Sequence, residues 1–235
     1  ERDPARFYYA EQNVAMEFRL DWREGTSRLA GVYYRRGEGD LQPPPRYLAP
    51  QKAVYVDGRQ YMTNAFSAWA TYGATVAGVW VMRDGLARPG AFLGRPAGWP
   101  VLEELGIAPE MPAEVTALPE KRRPAAVAQV LAQTLFAWAD RDGDGQVQAE
   151  EVAFVRTDGA VDRVTIGRDL SALVTTSTRV LRVPVGHFAD GGAPVYDLPA
   201  AETVAADGPN FTLGGVNSQA LAGRGELLAA HHRPA

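Results

Sequence analysis

The chain has 235 residues, a formal net charge of −4, 24 glycines, 17 prolines and no cysteine. That length can bury a core for one large β domain or two smaller ones, and the glycine, proline and short apolar runs favour strands and loops over a helical bundle. The charge balance gives no electrostatic footprint for nucleic acid, and the missing cysteines exclude disulfides, thiolate catalysis and cysteine-based zinc sites. No run reaches the roughly 18 apolar residues of a membrane span.

Along the chain, Val14, Met16, Phe18 and Leu20 alternate with Ala15, Glu17, Arg19 and Asp21, the period of two that places one strand face in a core and the other in water. A second strand is expected over Arg28 to Arg35, and Pro43 to Pro45 mark a connection. Ala53–Val56 and Arg59–Thr63 flank Asp57-Gly58, a dipeptide that supplies the positive φ angles of a tight hairpin turn. The pattern recurs in Thr75–Arg83, Asp84-Gly85 and Leu86–Leu93.

Residues 96–124 hold six prolines and read as an inserted connection with one short helical candidate around Val101 to Leu105. Ala125 to Asp140 is ambiguous by periodicity. Val127, Val130, Leu131, Thr134, Leu135 and Trp138 fit a helix, whereas Leu135, Ala137 and Ala139 against Phe136 and Trp138 fit a strand. Further strands are expected at Val161–Ile166, Thr178–Val185 and Ala193–Leu198. A final hairpin is expected over Ser218 to Ala230. These segments make about four sheet-like units, as radial repeats or a β-sandwich would.

The strongest chemical signal is Asp140 to Glu151, a twelve-residue loop with oxygen-bearing side chains at the spacing of calcium coordination. Asp140, Asp142 and Asp144 stand at positions 1, 3 and 5. Gln146 at 7 offers its carbonyl, Gln148 at 9 ligates directly or through water, and Glu151 at 12 is the bidentate carboxylate. Gly145 takes the sharp turn at 6, and Val147 at 8 points away from the ion into a core. The loop sums to −4, with Asp140, Asp142, Asp144, Glu150 and Glu151 against Arg141, which equals the charge of the whole chain. Crowded carboxylates repel until a divalent cation joins them. The expected cofactor is Ca²⁺, with Mg²⁺ less suited to a bidentate Glu151.

Tyr55 to Ala65, followed by Gly78 to Gly85, resembles blades of large bacterial extracellular β-propeller proteins of the NHL-like type. Phe136 to Val152 is similar to the EF-hand-type calcium loop some of them carry after a blade strand, and Gly191 to Leu198 is similar to a blade connection. The likeness spans roughly Arg6 to Ala230. It implies an all-β fold, a partial or open β-propeller in one domain over residues 1–235, with the proline-rich insertion 96–124 and the calcium loop 140–151. It also implies a strand at Thr134–Ala139 feeding the loop; the alanine-rich Pro124–Gln133 departs from a blade strand, and its helix propensity leads us to expect a short helix before that strand. A closed propeller usually has more blades than four, and the chain opens at Glu1 without an initiator Met. We therefore expect a part of a longer protein.

The leading functional expectation is a non-catalytic, extracellular or periplasmic binding or scaffold module in which Ca²⁺ rigidifies one inter-strand connection. Two alternatives stand beside it. A propeller-type hydrolase or lyase would work at a central channel, yet the sequence offers no nucleophile elbow, metalloprotease helix or phosphate loop, and His187 near Asp190 is the one interior histidine, His231 and His232 being terminal. An EF-hand calcium sensor would need a pair of hands, yet only Val152 to Thr157 separate Glu151 from Asp158-Gly159, and Thr157–Arg168 lacks ligand carboxylates for a second loop. A carbohydrate, peptide or protein ligand would meet exposed aromatics among Tyr8, Tyr9, Tyr33, Tyr34, Trp69 and Trp99. Asn210-Phe211-Thr212 fits a glycosylation acceptor.

Overall fold

The computed structural model describes residues 4–11, 14–34, 50, 52–65, 76–206, 219–223 and 226–230. Among the described residues the protein is all-β apart from three short α-helices and two single 3₁₀ turns. Strands β1 (Arg6–Glu11), β2 (Val14–Asp21) and β3 (Thr26–Tyr34) form a three-stranded sheet. A six-stranded antiparallel meander follows, in the order β4 (Lys52–Val56), β5 (Arg59–Thr63), β6 (Val76–Arg83), β7 (Leu86–Gly94), β8 (Thr134–Ala139) and β9 (Val152–Arg156). The next sheet pairs β10 (Val161–Ile166), β11 (Ala172–Thr176) and β12 (Arg179–Val183) with β15 (Glu202–Ala206), and the hairpin of β13 (Val185–Phe188) and β14 (Pro194–Tyr196) interrupts it in sequence. β16 (Gln219–Gly223) and β17 (Glu226–Ala230) form the last hairpin, with β16 lying against β10 and β11. Among the described residues no sheet closes on itself.

Turn chemistry and side-chain alternation explain the central sheet. Asp57-Gly58 and Asp84-Gly85 have φ angles of 49° and 75°, and 52° and 76°, the doubly left-handed pair of a two-residue hairpin turn. With register set there, the period of two sorts side chains into two cores. Val54, Tyr61, Val79, Val81, Leu93, Leu135 and Ala137 face Val164, Ile166, Val174 and Val183 of the four-stranded sheet. Met62, Trp80, Phe92, Phe136 and Trp138 point the opposite way into an aromatic cluster with Trp99 and Leu102. Gly78 makes that cluster fit, because a Cβ there would stand 2.4 Å from Trp80 Cη2 and 2.8 Å from Phe92 Cε1.

The ambiguous segment is a helix and then a strand. α3 (Arg123–Ala132) begins with Pro124 in its first turn, where the missing N–H costs nothing, and β8 starts two residues after its end. Thr134 Oγ1 donates to the Val130 carbonyl at 2.7 Å, which also accepts from the Gln133 N–H at 3.1 Å, so the first residue of β8 is tied to the last turn of the helix. Earlier come α1 (Pro100–Glu104), also opened by a proline, and α2 (Ala113–Thr116). The inserted connection therefore fills the whole gap between β7 and β8 and ends nine residues beyond the expected 124, because its prolines start helices as well as break them. It covers the aromatic face of the central sheet through Trp99 and Leu102, 0% and 2% exposed.

The sequence periodicity does not mark strands β1, β9, β11, β13 and β15. β1 joins the first sheet through Phe7↔Phe18 and Tyr9↔Met16 pairs. Its Arg6 donates to Gln60 Oε1 at 2.5 Å, and Gln60 Nε2 donates to the Tyr8 hydroxyl at 2.6 Å, so this face meets β5 through polar groups. Phe7, Tyr9, Leu29 and Val32 of the same sheet are each about half exposed.

Candidate metal centre

The twelve-residue loop joins two strands. β8 and β9 pair antiparallel with Trp138 opposite Val152, so the sheet brings positions 1 and 12 together at the neck of a hairpin. The Asp140 N–H extends the ladder on the other side by donating to the Gly90 carbonyl at 2.9 Å. Positions 10 to 12, Ala149–Glu151, make a single 3₁₀ turn, and the chain leaves at once as strand. The helix-loop-helix arrangement of an EF-hand is thus absent around this loop, where a short apolar exit of Val152, Phe154 and Val155 pairs with β8.

Within the loop the backbone folds around its own acidic side chains. Asp140 Oδ1 accepts from the Gly145 N–H at 3.2 Å, Asp142 Oδ1 from the Asp144 N–H at 3.1 Å, and Asp144 Oδ1 from the Gln146 N–H at 2.6 Å. Gly143 and Gly145 supply the left-handed conformations this coil needs, with φ of 79° and 72°. One oxygen from each of Asp140, Asp142 and Asp144 lies within 4.8 Å of the others, close enough for one cation to touch all three. Val147 packs beneath the loop against the aromatic cluster, as its position predicts.

The chemistry of the donor set fits a hard cation. Gln148 Nε2 donates to Asp142 Oδ2 at 3.3 Å and to Asp144 Oδ2 at 3.0 Å, which leaves its Oε1 buried without a hydrogen-bond partner. A buried orphan acceptor is costly. Turning the amide over beside an ion would give that oxygen a partner and relieve the carboxylates of their need for the NH₂ group. The Gln146 side chain is exposed, consistent with a role for its carbonyl alone.

Burial divides the candidate ligands. Asp140 is 6% exposed and Glu151 is 4% exposed, whereas Asp142 and Asp144 stand in solvent. Burial raises the Asp140 carboxyl above its ordinary range, opposed by N–H donors of Gly145 and Gly143 and reinforced by the charges of Asp142 and Asp144. Glu151 lies outside the aspartate trio and is held on both oxygens, Oε1 by the Arg141 N–H at 2.7 Å and Oε2 by the Trp138 indole N–H at 2.9 Å. Trp138 was not singled out as a site residue in the sequence. Its strand period marks it as core, and its second role arises because the hairpin folds residue 151 back over it.

Other candidate residues do not converge. His187 is exposed on β13 and belongs to no metal-binding cluster among the described residues. Trp99 is fully buried and cannot present a ring to a ligand, because the insertion folds it against Phe92, Phe136 and Trp138. Tyr9 is 45% exposed and Tyr8 half-buried. Trp69, His231, His232, Asn210 and the side chains of Tyr33 and Tyr34 lie outside the described residues. Thr157–Arg168 contains β10 and presents no carboxylate trio. No helix of the described residues is long and apolar enough to cross a membrane.

No protein-family model matches this chain, and no curated protein sequence matches it significantly.

Proposed function

We propose that the chain is a calcium-binding β-sheet module in which Ca²⁺, held by Asp140, Asp142, Asp144, the Gln146 carbonyl, Gln148 and Glu151, staples the β8–β9 connection of a binding or scaffold protein. The observation that carries this is the trio of aspartate oxygens within 4.8 Å at the neck of a strand hairpin. Its flanks are strands pinned in a six-stranded sheet, which supports a rigidifying ion over a sensor whose helices swing apart on binding. Without the ion, three carboxylates share one small volume, and an ion would turn that repulsion into attraction.

The NHL-like propeller belongs to this proposal as the architecture the blade phrases suggest. It draws support from a four-stranded antiparallel sheet of blade size that comes after the six-stranded meander in the chain. An extracellular or periplasmic setting follows the same logic, since a permanently filled loop needs abundant calcium. Calorimetric titration of metal-stripped protein tests the reading, together with melting in Ca²⁺ and in chelator monitored by circular dichroism. Uptake with a raised melting temperature and no gain of helix supports the staple. No uptake at millimolar Ca²⁺ refutes it.

A further inference from the structure

We propose that Trp138 is a positioning residue for the ion site: its buried indole N–H fixes the plane of the Glu151 carboxylate and sets the preference of the loop for Ca²⁺ over Mg²⁺. The proposal rests on the calcium reading of Asp140–Glu151. Trp138 is 0% exposed, and its ring packs on Phe92 and Trp99 at centroid distances of 5.4 and 5.6 Å. A ring so wedged cannot swing, so its N–H is a fixed point at 2.9 Å from Glu151 Oε2. The Arg141 N–H holds Oε1 from the neck of the same hairpin at 2.7 Å.

Each carboxylate oxygen has two acceptor sites. One donor on each oxygen uses one site on each and leaves one on each for the ion, which is the condition for bidentate coordination. Donors at both ends also resist rotation of the carboxylate into a one-oxygen contact. Ca²⁺ accepts both oxygens of one carboxylate in its larger shell, whereas the tight octahedron of Mg²⁺ is better served by one. The indole therefore selects the ion through the geometry of Glu151 without touching the ion itself. It also keeps a carboxylate that is 4% exposed satisfied before the ion arrives. The aspartates of the exposed arc can then close onto a partner that does not move.

The test compares Ca²⁺ and Mg²⁺ titrations of metal-stripped wild type and Trp138→Phe, which deletes the N–H and keeps an aromatic ring. Outer-shell partners of metal ligands typically contribute about 10- to 100-fold in affinity. Ca²⁺ affinity should fall by about that factor while Mg²⁺ affinity changes about threefold or less, so the selectivity ratio drops; a ratio unchanged in a folded variant overturns the proposal. The indole Nε1–H resonance of Trp138 in the wild type needs no variant. It should shift on Ca²⁺ addition, and a resonance that stays put while the protein takes up Ca²⁺ overturns the proposal even where Trp138→Phe fails to fold. If the wild type takes up no Ca²⁺, the calcium reading itself falls, and this proposal with it.

Discussion

The two halves of the acidic loop live in different solvents. Asp140 and Glu151 are rooted in the ends of β8 and β9 and almost wholly buried, while Asp142 and Asp144 lie on an exposed arc shaped by Asx-type turns. Charge costs little on the arc and a great deal at the root. The buried half therefore supplies direction and the exposed half supplies adaptable charge. Substitutions at the two ends should accordingly fail in different ways.

The largest effect is expected at the root. Glu151→Gln keeps one acceptor oxygen and turns the other into an NH₂ that would face either the Trp138 or the Arg141 donor, so calcium uptake should be lost by about a hundredfold or more. Its melting temperature in Ca²⁺ should match that in metal-free buffer. Asp140→Asn should also abolish uptake, yet raise the melting temperature of the metal-free protein, because it removes a charge that burial disfavours. A metal-free melting point that falls on Asp140→Asn would contradict that account of the root.

Acidification sharpens the same contrast. The Asp140 carboxyl titrates above its ordinary 3.8 because of burial. In metal-free protein, the stability linked to this group is present at low pH and lost as pH rises through the raised value. On the calcium proposal the ion needs the charged form, so loaded protein should lose it as pH falls through the same window. The gap between the two melting temperatures should therefore close from both sides, starting above pH 3.8, in a series of melts at falling pH.

Smaller effects belong to the arc. Asp144→Asn removes one of several solvated carboxylates and should weaken Ca²⁺ by about tenfold, with little change in metal-free stability, as calorimetry and melting would show. Gly145→Ala meets no atom within 4 Å at its Cβ, so its cost is conformational, about 1 kcal/mol for the left-handed φ of 72°. That corresponds to a loss of about fivefold or less in affinity if the loop forms only on binding. A much larger loss would mean that the arc is as rigid as the root.

Some of this was legible before any coordinates. The Asp-Gly turns and the strands around them are local devices, each acting within a few residues, and the structure bears them out as elements. The segment Ala125–Asp140 carried both periods because it is both elements in succession, with the change at Gln133. The sequence does not mark β1, β9, β11, β13 and β15 because short strands gain their stability from pairing with a partner strand, and no local pattern names the partner.

The residues that can gather an ion were thus written into the chain, since spacing alone carries three acidic oxygens around a glycine-bearing coil. Which of them are buried, and what holds the last one, depended on the whole molecule. Strand pairing set Val152 beside Trp138, and a helical insertion folded Trp99 onto that indole. Solvent exclusion at the root comes from these long-range contacts, which is why Asp140 and Asp144, the same residue type four positions apart, occupy electrostatically different sites.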